Sequence, residues 1–209
     1  MLWPSSVFSK KRPNSPQLVA GFSLVELMIS ITIMVIVIAI VSTSQGAFNG
    51  AVLLRGQTYE AALKVREVQL SAVGAIGNVD VFRSVYGVHF DSSTATNGQY
   101  KIFKDTQSGP NANGFYDSGE EYGQQSFLDR RFQVRDVRAV GDTMQSTGGL
   151  SIVFVRPNFD ARFFDSAGEV DATSVEVDIS RRGSTGTGPG DVRTLEVTAT
   201  GQISVKNIP

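Results

Sequence analysis

Residues 21–41 read GFSLVELMISITIMVIVIAIV, and the architecture of the chain follows from this stretch. From residue 22 it holds twenty residues with a single charge, Glu26. Twenty helical residues span roughly 30 Å, about the thickness of a bilayer's hydrocarbon core. Ahead of the run lie Lys10, Lys11 and Arg12 and no acidic residue. Positive charge before an apolar segment keeps that end in the cytoplasm. A secretory signal peptide also begins this way, and the small residues within VSTSQGA, residues 41–47, offer it a cleavage site, but the apolar run is long for a signal core. A plain signal anchor satisfies hydropathy equally well.

The order of residues at the junction adds a third reading. Gly21, Phe22 and Glu26 stand as a glycine, an aromatic residue next to it and a glutamate at the fifth place counted from that aromatic. This pattern closely resembles the type IV prepilin cleavage motif, over about the first 50 residues. The resemblance implies that a prepilin peptidase cuts after Gly21 and methylates the new amino terminus at Phe22. Residues 1–21 are then a leader, 22–45 a transmembrane and assembly half-helix, and 46–209 the head. Glu26 fits that implication physically. A charge inside a span costs roughly 2.5–3.5 kcal/mol on insertion scales, which a pure anchor has no use for. In a filament it can neutralise the terminal amine of a neighbouring subunit. Such a pair serves register more than net stability.

The remainder is polar and Gly-rich. Gly46, Gly50 and Gly56 soften the helix, each by about 1 kcal/mol relative to alanine. Beyond them Leu54, Thr58, Ala61, Val65, Val68, Ala72 and Ala75 recur at alternating spacings of four and three, which places them on one helical face. The spacing predicts one long helix from about Phe22 to Ile76, its second half (46–76) packed on a sheet. From residue 77 the period becomes two. Strands are expected at 85–90, 99–103, 132–139, 150–156, 175–180, 193–199 and 202–206, with a bulge near Arg135 and Asp136 and a tight final hairpin at Thr200, Gly201 and Gln202. The expected fold is α+β: a long N-terminal helix, membrane-spanning in its first half, whose second half packs on an antiparallel β-sheet head. The runs LKVREVQLSAV, LSIVFVRPNFDARFFDSAGEV and RTLEVTATGQISV loosely resemble the minor pseudopilin H family of type II secretion and related minor pilins.

Several motifs bear on ligands. Taking Gly114 as the glycine of a calcium loop puts Asn111, Asn113, Asp117 and Glu120 at positions three, five, nine and twelve, with the Phe115 carbonyl at seven. Position one is Gly109, and Asp105 stands four residues too early, so calcium is expected to bind weakly if at all; an exposed Asn/Gly-rich loop is the alternative. GSTGTGPG, residues 183–190, lacks the lysine and helix of a phosphate loop and reads as a hairpin loop. Arg130, Arg131, Arg135, Arg138, Arg181 and Arg182 suggest a basic patch. Removing the three leader cations takes the formal charge from −1 to −4, however, which argues against a nucleic-acid partner. There is no cysteine, so disulfides and thiolate metal sites are excluded. His89 stands alone and is expected to face solvent or to be satisfied in the sheet. No nucleophile–base motif makes a case for an enzyme.

The expected function is a structural one: a minor pilin or pseudopilin, or alternatively a DNA-binding competence pilin or a signal-anchored protein that never polymerises. The expected partners are prepilin peptidase, other pilin or pseudopilin subunits, an inner-membrane assembly platform and membrane lipid. The expected location is the inner membrane, crossed once with the head outside the cytoplasm, and then a pilus or pseudopilus. Mass spectrometry of protein extracted from membranes with the peptidase present should find a chain starting at Phe22 and carrying one methyl group. A terminus near Ala47 would indicate an ordinary signal peptide instead.

Overall fold

A computed structural model describes residues 21–74, 85–105, 113–123, 126–141, 144–154, 159–188 and 190–207. It divides into two units, Met1–Ser44 and Gln45–Pro209. Helix α1 is assigned over Leu24–Val73 and is helical at Gly46, Gly50 and Gly56 as well. Its first part, Leu24–Ser42, is long and apolar enough to cross a membrane, and none of it is buried by the rest of the chain.

Within the second unit, α1 presents the face that the spacing predicts. Leu54, Thr58, Ala61, Val65, Val68 and Ala72 are all buried, while Ala75 lies outside the described residues. Thr58 meets its polar requirement locally, its hydroxyl donating to the Leu54 carbonyl at 2.9 Å. The same core holds Tyr86, Val88, Phe90, Leu150, Ile152, Phe154 and Phe163 from one sheet and Phe132, Val134, Val137, Val175, Val177, Ile179, Leu195 and Val197 from another. At roughly 1.5–3 kcal/mol per buried large apolar side chain, this cluster is the main favourable term in the head.

The described strands are β1 (Val85–Asp91), β2 (Gln99–Asp105), β3 (Ser126–Phe127), β4 (Phe132–Val140), β5 (Met144–Ser146), β6 (Gly149–Phe154), β7 (Ala161–Asp165), β8 (Gly168–Val170), β9 (Ser174–Arg181), β10 (Val192–Thr198) and β11 (Ile203–Asn207). They form two antiparallel sheets, ordered β3-β2-β1-β6-β7-β8 and β11-β10-β9-β4-β5. All seven expected strands are present, with residues 155 and 156 of the fourth lying outside the described residues. The bulge falls where the broken alternation placed it, as a register shift between Val134 and Asp136 against β9. The final hairpin turns through Gly201 at φ +79°.

Four short strands, β3, β5, β7 and β8, lie in stretches that the sequence alone reads as turns. Runs of two to five residues are too short to display a period of two, and pairing comes from the edge of the neighbouring strand. On the outer face of the second sheet Arg138 bridges strands, with Asp178 at 2.5 Å and Glu176 at 3.1 Å, and Thr194 donates to Asp178 at 2.6 Å. Lys206 extends the row to Glu196 at 2.5 Å. A half-buried network of this kind fixes strand register more than it adds stability.

One polar helix residue tethers α1 to two loops. Gln69 is buried, and its Nε2 donates to the carbonyls of Gly201 at 2.8 Å and Phe159 at 3.1 Å. Gln69→Leu strands both carbonyls beneath an apolar side chain. The expected loss is about 1–3 kcal/mol, read from urea unfolding of the detergent-solubilised chain.

Candidate functional site

The N-terminal site is built on the start of α1. Gly21, Phe22 and Ser23 precede the helix, and the Ser23 carbonyl accepts the first-turn bond from the Leu27 amide at 3.1 Å. Ser23 therefore occupies the cap position and Glu26 the third helical position, the S-x-x-E arrangement of a helix start. A carboxylate there is favoured by the partial positive charge of the helix end. Gly21 has open space where a β-carbon would project, and Phe22 is 83% exposed. Among the described residues, nothing crowds the segment immediately before the helix. Inside the span, Ser30 and Thr32 donate their hydroxyls to the carbonyls of Glu26 and Met28, each at 2.8 Å. Both side chains are thereby satisfied without a partner from outside, and Glu26 is left as the ionisable group of this segment.

The second candidate lies beyond β2, where residues 113–123 fold over the outer face of the first sheet. Gly114, at φ +68°, receives its position from two contacts. Its amide donates to Asp105 Oδ2 at 3.1 Å, and a β-carbon would lie 2.6 Å from the Phe164 ring. Asp105, too early in sequence for a calcium loop's first position, thus meets the glycine from the end of β2. Phe103 lies across β1, where Gly87 makes room; a β-carbon there would sit 2.6 Å from the ring. The return segment hydrogen bonds to β2 through Lys104 N to Glu120 O at 3.0 Å and Tyr122 N to Ile102 O at 2.9 Å.

The proposed calcium ligands are gathered on this turn, except that Asn111 lies outside the described residues. Asn113, Asp117 and Glu120 each have one oxygen engaged by the loop itself. Asn113 Oδ1 accepts from the Phe115 amide at 3.0 Å, Asp117 Oδ2 from Asn113 Nδ2 at 2.9 Å, and Glu120 Oε2 from the Asp117 amide at 3.1 Å. Among the described residues no group of three or more His, Cys, Asp or Glu is placed to hold a metal. A cation as proposed would have to compete with these donors.

His89 is buried beneath the same turn. Its ring packs edge-on against Phe115 at 5.0 Å and tilted against Tyr116 at 5.4 Å. Its Nδ1 lies 3.0 Å from Ser151 Oγ, which also accepts from the Tyr116 amide at 3.0 Å. Burial pushes the imidazole down to about 4, with Asp91 opposing. The basic patch expected from sequence is divided. Arg138 is tied to the outer face of the second sheet, whereas Arg131, Arg181 and Arg182 line one hollow beside α1.

Among protein families, the model for the prokaryotic N-terminal methylation motif matches residues 18–42. The chain carries a prepilin-type methylation motif. The match covers the junction, Glu26 and the apolar run, and with the exposed apolar helix it supports a membrane-anchored protein of pilin type. No curated protein and no solved structure matches the chain.

Two outcomes are expected for the turn. First, Asp117→Ala with Glu120→Ala lowers the melting temperature even in a chelator, because both carboxylates hold loop donors; calcium bound as proposed would add a further rise in the unmodified protein alone. Second, His89 makes stability depend on pH. The unfolded chain takes up this proton near pH 6.5 and the folded chain only near 4. The contribution is complete above pH 6.5 and falls as pH drops through that window, by about 3 kcal/mol in all. Unfolding free energy measured between pH 7 and 4 should lose this slope in His89→Gln.

Proposed function

We propose that this chain is a structural filament subunit, cut after Gly21 by prepilin peptidase and N-methylated at Phe22. The observation that carries the reading is the methylation motif at residues 18–42, set on a helix whose apolar surface the chain itself leaves bare. A helix apolar all round needs lipid or neighbouring helices, and a filament core supplies the second. The head adds support. Opposite its buried face, α1 exposes Val52, Tyr59, Leu63 and Leu70, with Leu63 at 67%. With Gly56 and Arg66 between them, they follow spacings of four and three, a seam suited to a neighbouring helix.

Within that class we assign the chain to the minor pilins or pseudopilins of a type IV pilus or type II secretion machine. The loose likeness of its strand, turn and final hairpin extends to pseudopilin H and to related minor pilins alike. In this reading Glu26 meets the methylated amine of an adjacent subunit. Glu26→Val should stay in the membrane, since it removes a charge from the span. It should incorporate poorly, at least tenfold below the unmodified chain if the lost pairing exceeds about 1.4 kcal/mol. Immunoblotting of sheared filaments against the membrane fraction measures this. Equal incorporation would remove Glu26 from the assembly step.

A further inference from the structure

The head is acidic as a whole, yet three of its arginines lie together at one place. Residues 27–59 contain no Asp or Glu. Beside Asn49, Gly50 and Leu53 of α1 lie Arg131, Phe132, Arg181 and Arg182, which together enclose a hollow of about 350 Å³. Arg181 lies directly on the helix. Its Nη1 stands 2.8 Å from where a β-carbon on residue 50 would be, so Gly50 makes room for the guanidinium. Arg182 Nη2 donates to Asn97 Oδ1 at 3.2 Å, a neutral acceptor that orients the group without cancelling its charge. Arg131 is paired to Asp129 at 2.8 Å and stands 5.8 Å from the Phe132 ring. Among the described residues neither Arg181 nor Arg182 forms an ion pair.

Guanidinium groups around an exposed leucine match a ligand that is anionic at one end and apolar at the other. Guanidinium forks bind phosphate oxygens in pairs, and Leu53 offers the apolar contact. The chain also limits where such a ligand is met. The candidate span ends at Ser42, and Gly50 follows eight residues later. Eight residues reach at most about 29 Å even when fully extended, so the hollow is tethered close to the bilayer surface.

We propose that this arginine hollow docks the head on the headgroups of anionic phospholipids in the membrane that holds the anchor. The proposal rests on the anchored reading given above. The contact belongs to the subunit before assembly, when span and head both remain at the membrane. Docking fixes the head's position on the surface while α1 waits for a neighbouring helix, and it ends when the subunit is drawn into a filament. The interaction is electrostatic, so salt and lipid charge control it.

The full chain, placed in lipid nanodiscs, gives the test. It contains no cysteine, so Thr185→Cys in the loop after β9 accepts a single fluorescent donor. Headgroup-labelled lipid serves as the acceptor. Energy transfer should be higher in discs containing phosphatidylglycerol than in pure phosphatidylcholine. The difference should vanish near 1 M salt, where the screening length is about 3 Å. Arg181→Glu and Arg182→Glu should each weaken docking by about fivefold or more. The salt arm uses the chain without charge reversal and so does not depend on how those variants fold. Equal transfer in both lipid compositions overturns the proposal. So does duplex DNA retention that follows these arginines while transfer ignores lipid charge, because the hollow is then a nucleic-acid surface. Loss of the chain from neutral discs would refute the anchor itself, an outcome distinct from retention without docking.

Discussion

Burial of one face of α1 is the constraint on which the head depends. Leu54, Thr58, Ala61, Val65, Val68 and Ala72 supply apolar surface, and the inward residues of two antiparallel sheets meet them in a single cluster. Ala61 and Ala72 stand beside the larger Leu54, Val65 and Val68 on that buried face. Gln69 then tethers the helix to two loops by hydrogen bonds that water cannot replace in the interior. The same helix is apolar on every side before residue 43, and there the chain offers it no cover. One element is thus bare before residue 43 and covered on one face from Leu54 onward.

A second, smaller layer forms outside the first sheet. Phe103 occupies the space that Gly87 leaves, and residues 113–123 close over it with Phe115, Tyr116 and the buried His89. Asp105 anchors this turn at the amide of Gly114. The loop's polar residues are engaged in shaping the turn itself, and a neutral histidine under two aromatic rings makes the layer sensitive to acid.

The sequence made regular features visible where a repeat was long enough to show. The buried face of α1 emerged residue by residue from spacings of four and three, and the bulge near Asp136 from a broken alternation. The short strands β3, β5, β7 and β8 stayed hidden because their order is lent by neighbouring edges. Gln69 gave no signal, since a polar residue beside an apolar stripe ordinarily faces water. Arg138 and Arg181 look alike in sequence, yet cross-strand pairing takes the first into a carboxylate network and leaves the second against Gly50. The methylation motif spanning Gly21, Phe22 and Glu26 was legible because it lies in residue order rather than tertiary contact.

The division of α1 is tested most directly by thermal unfolding of two soluble fragments, one starting at Gln45 and the other at residue 77. The first keeps the helical face that completes the core, and it should be soluble and melt in one cooperative transition. The second exposes the inner faces of both sheets, and it should aggregate or show no transition. Equal melting temperatures for the two would contradict the claim that α1 completes the head.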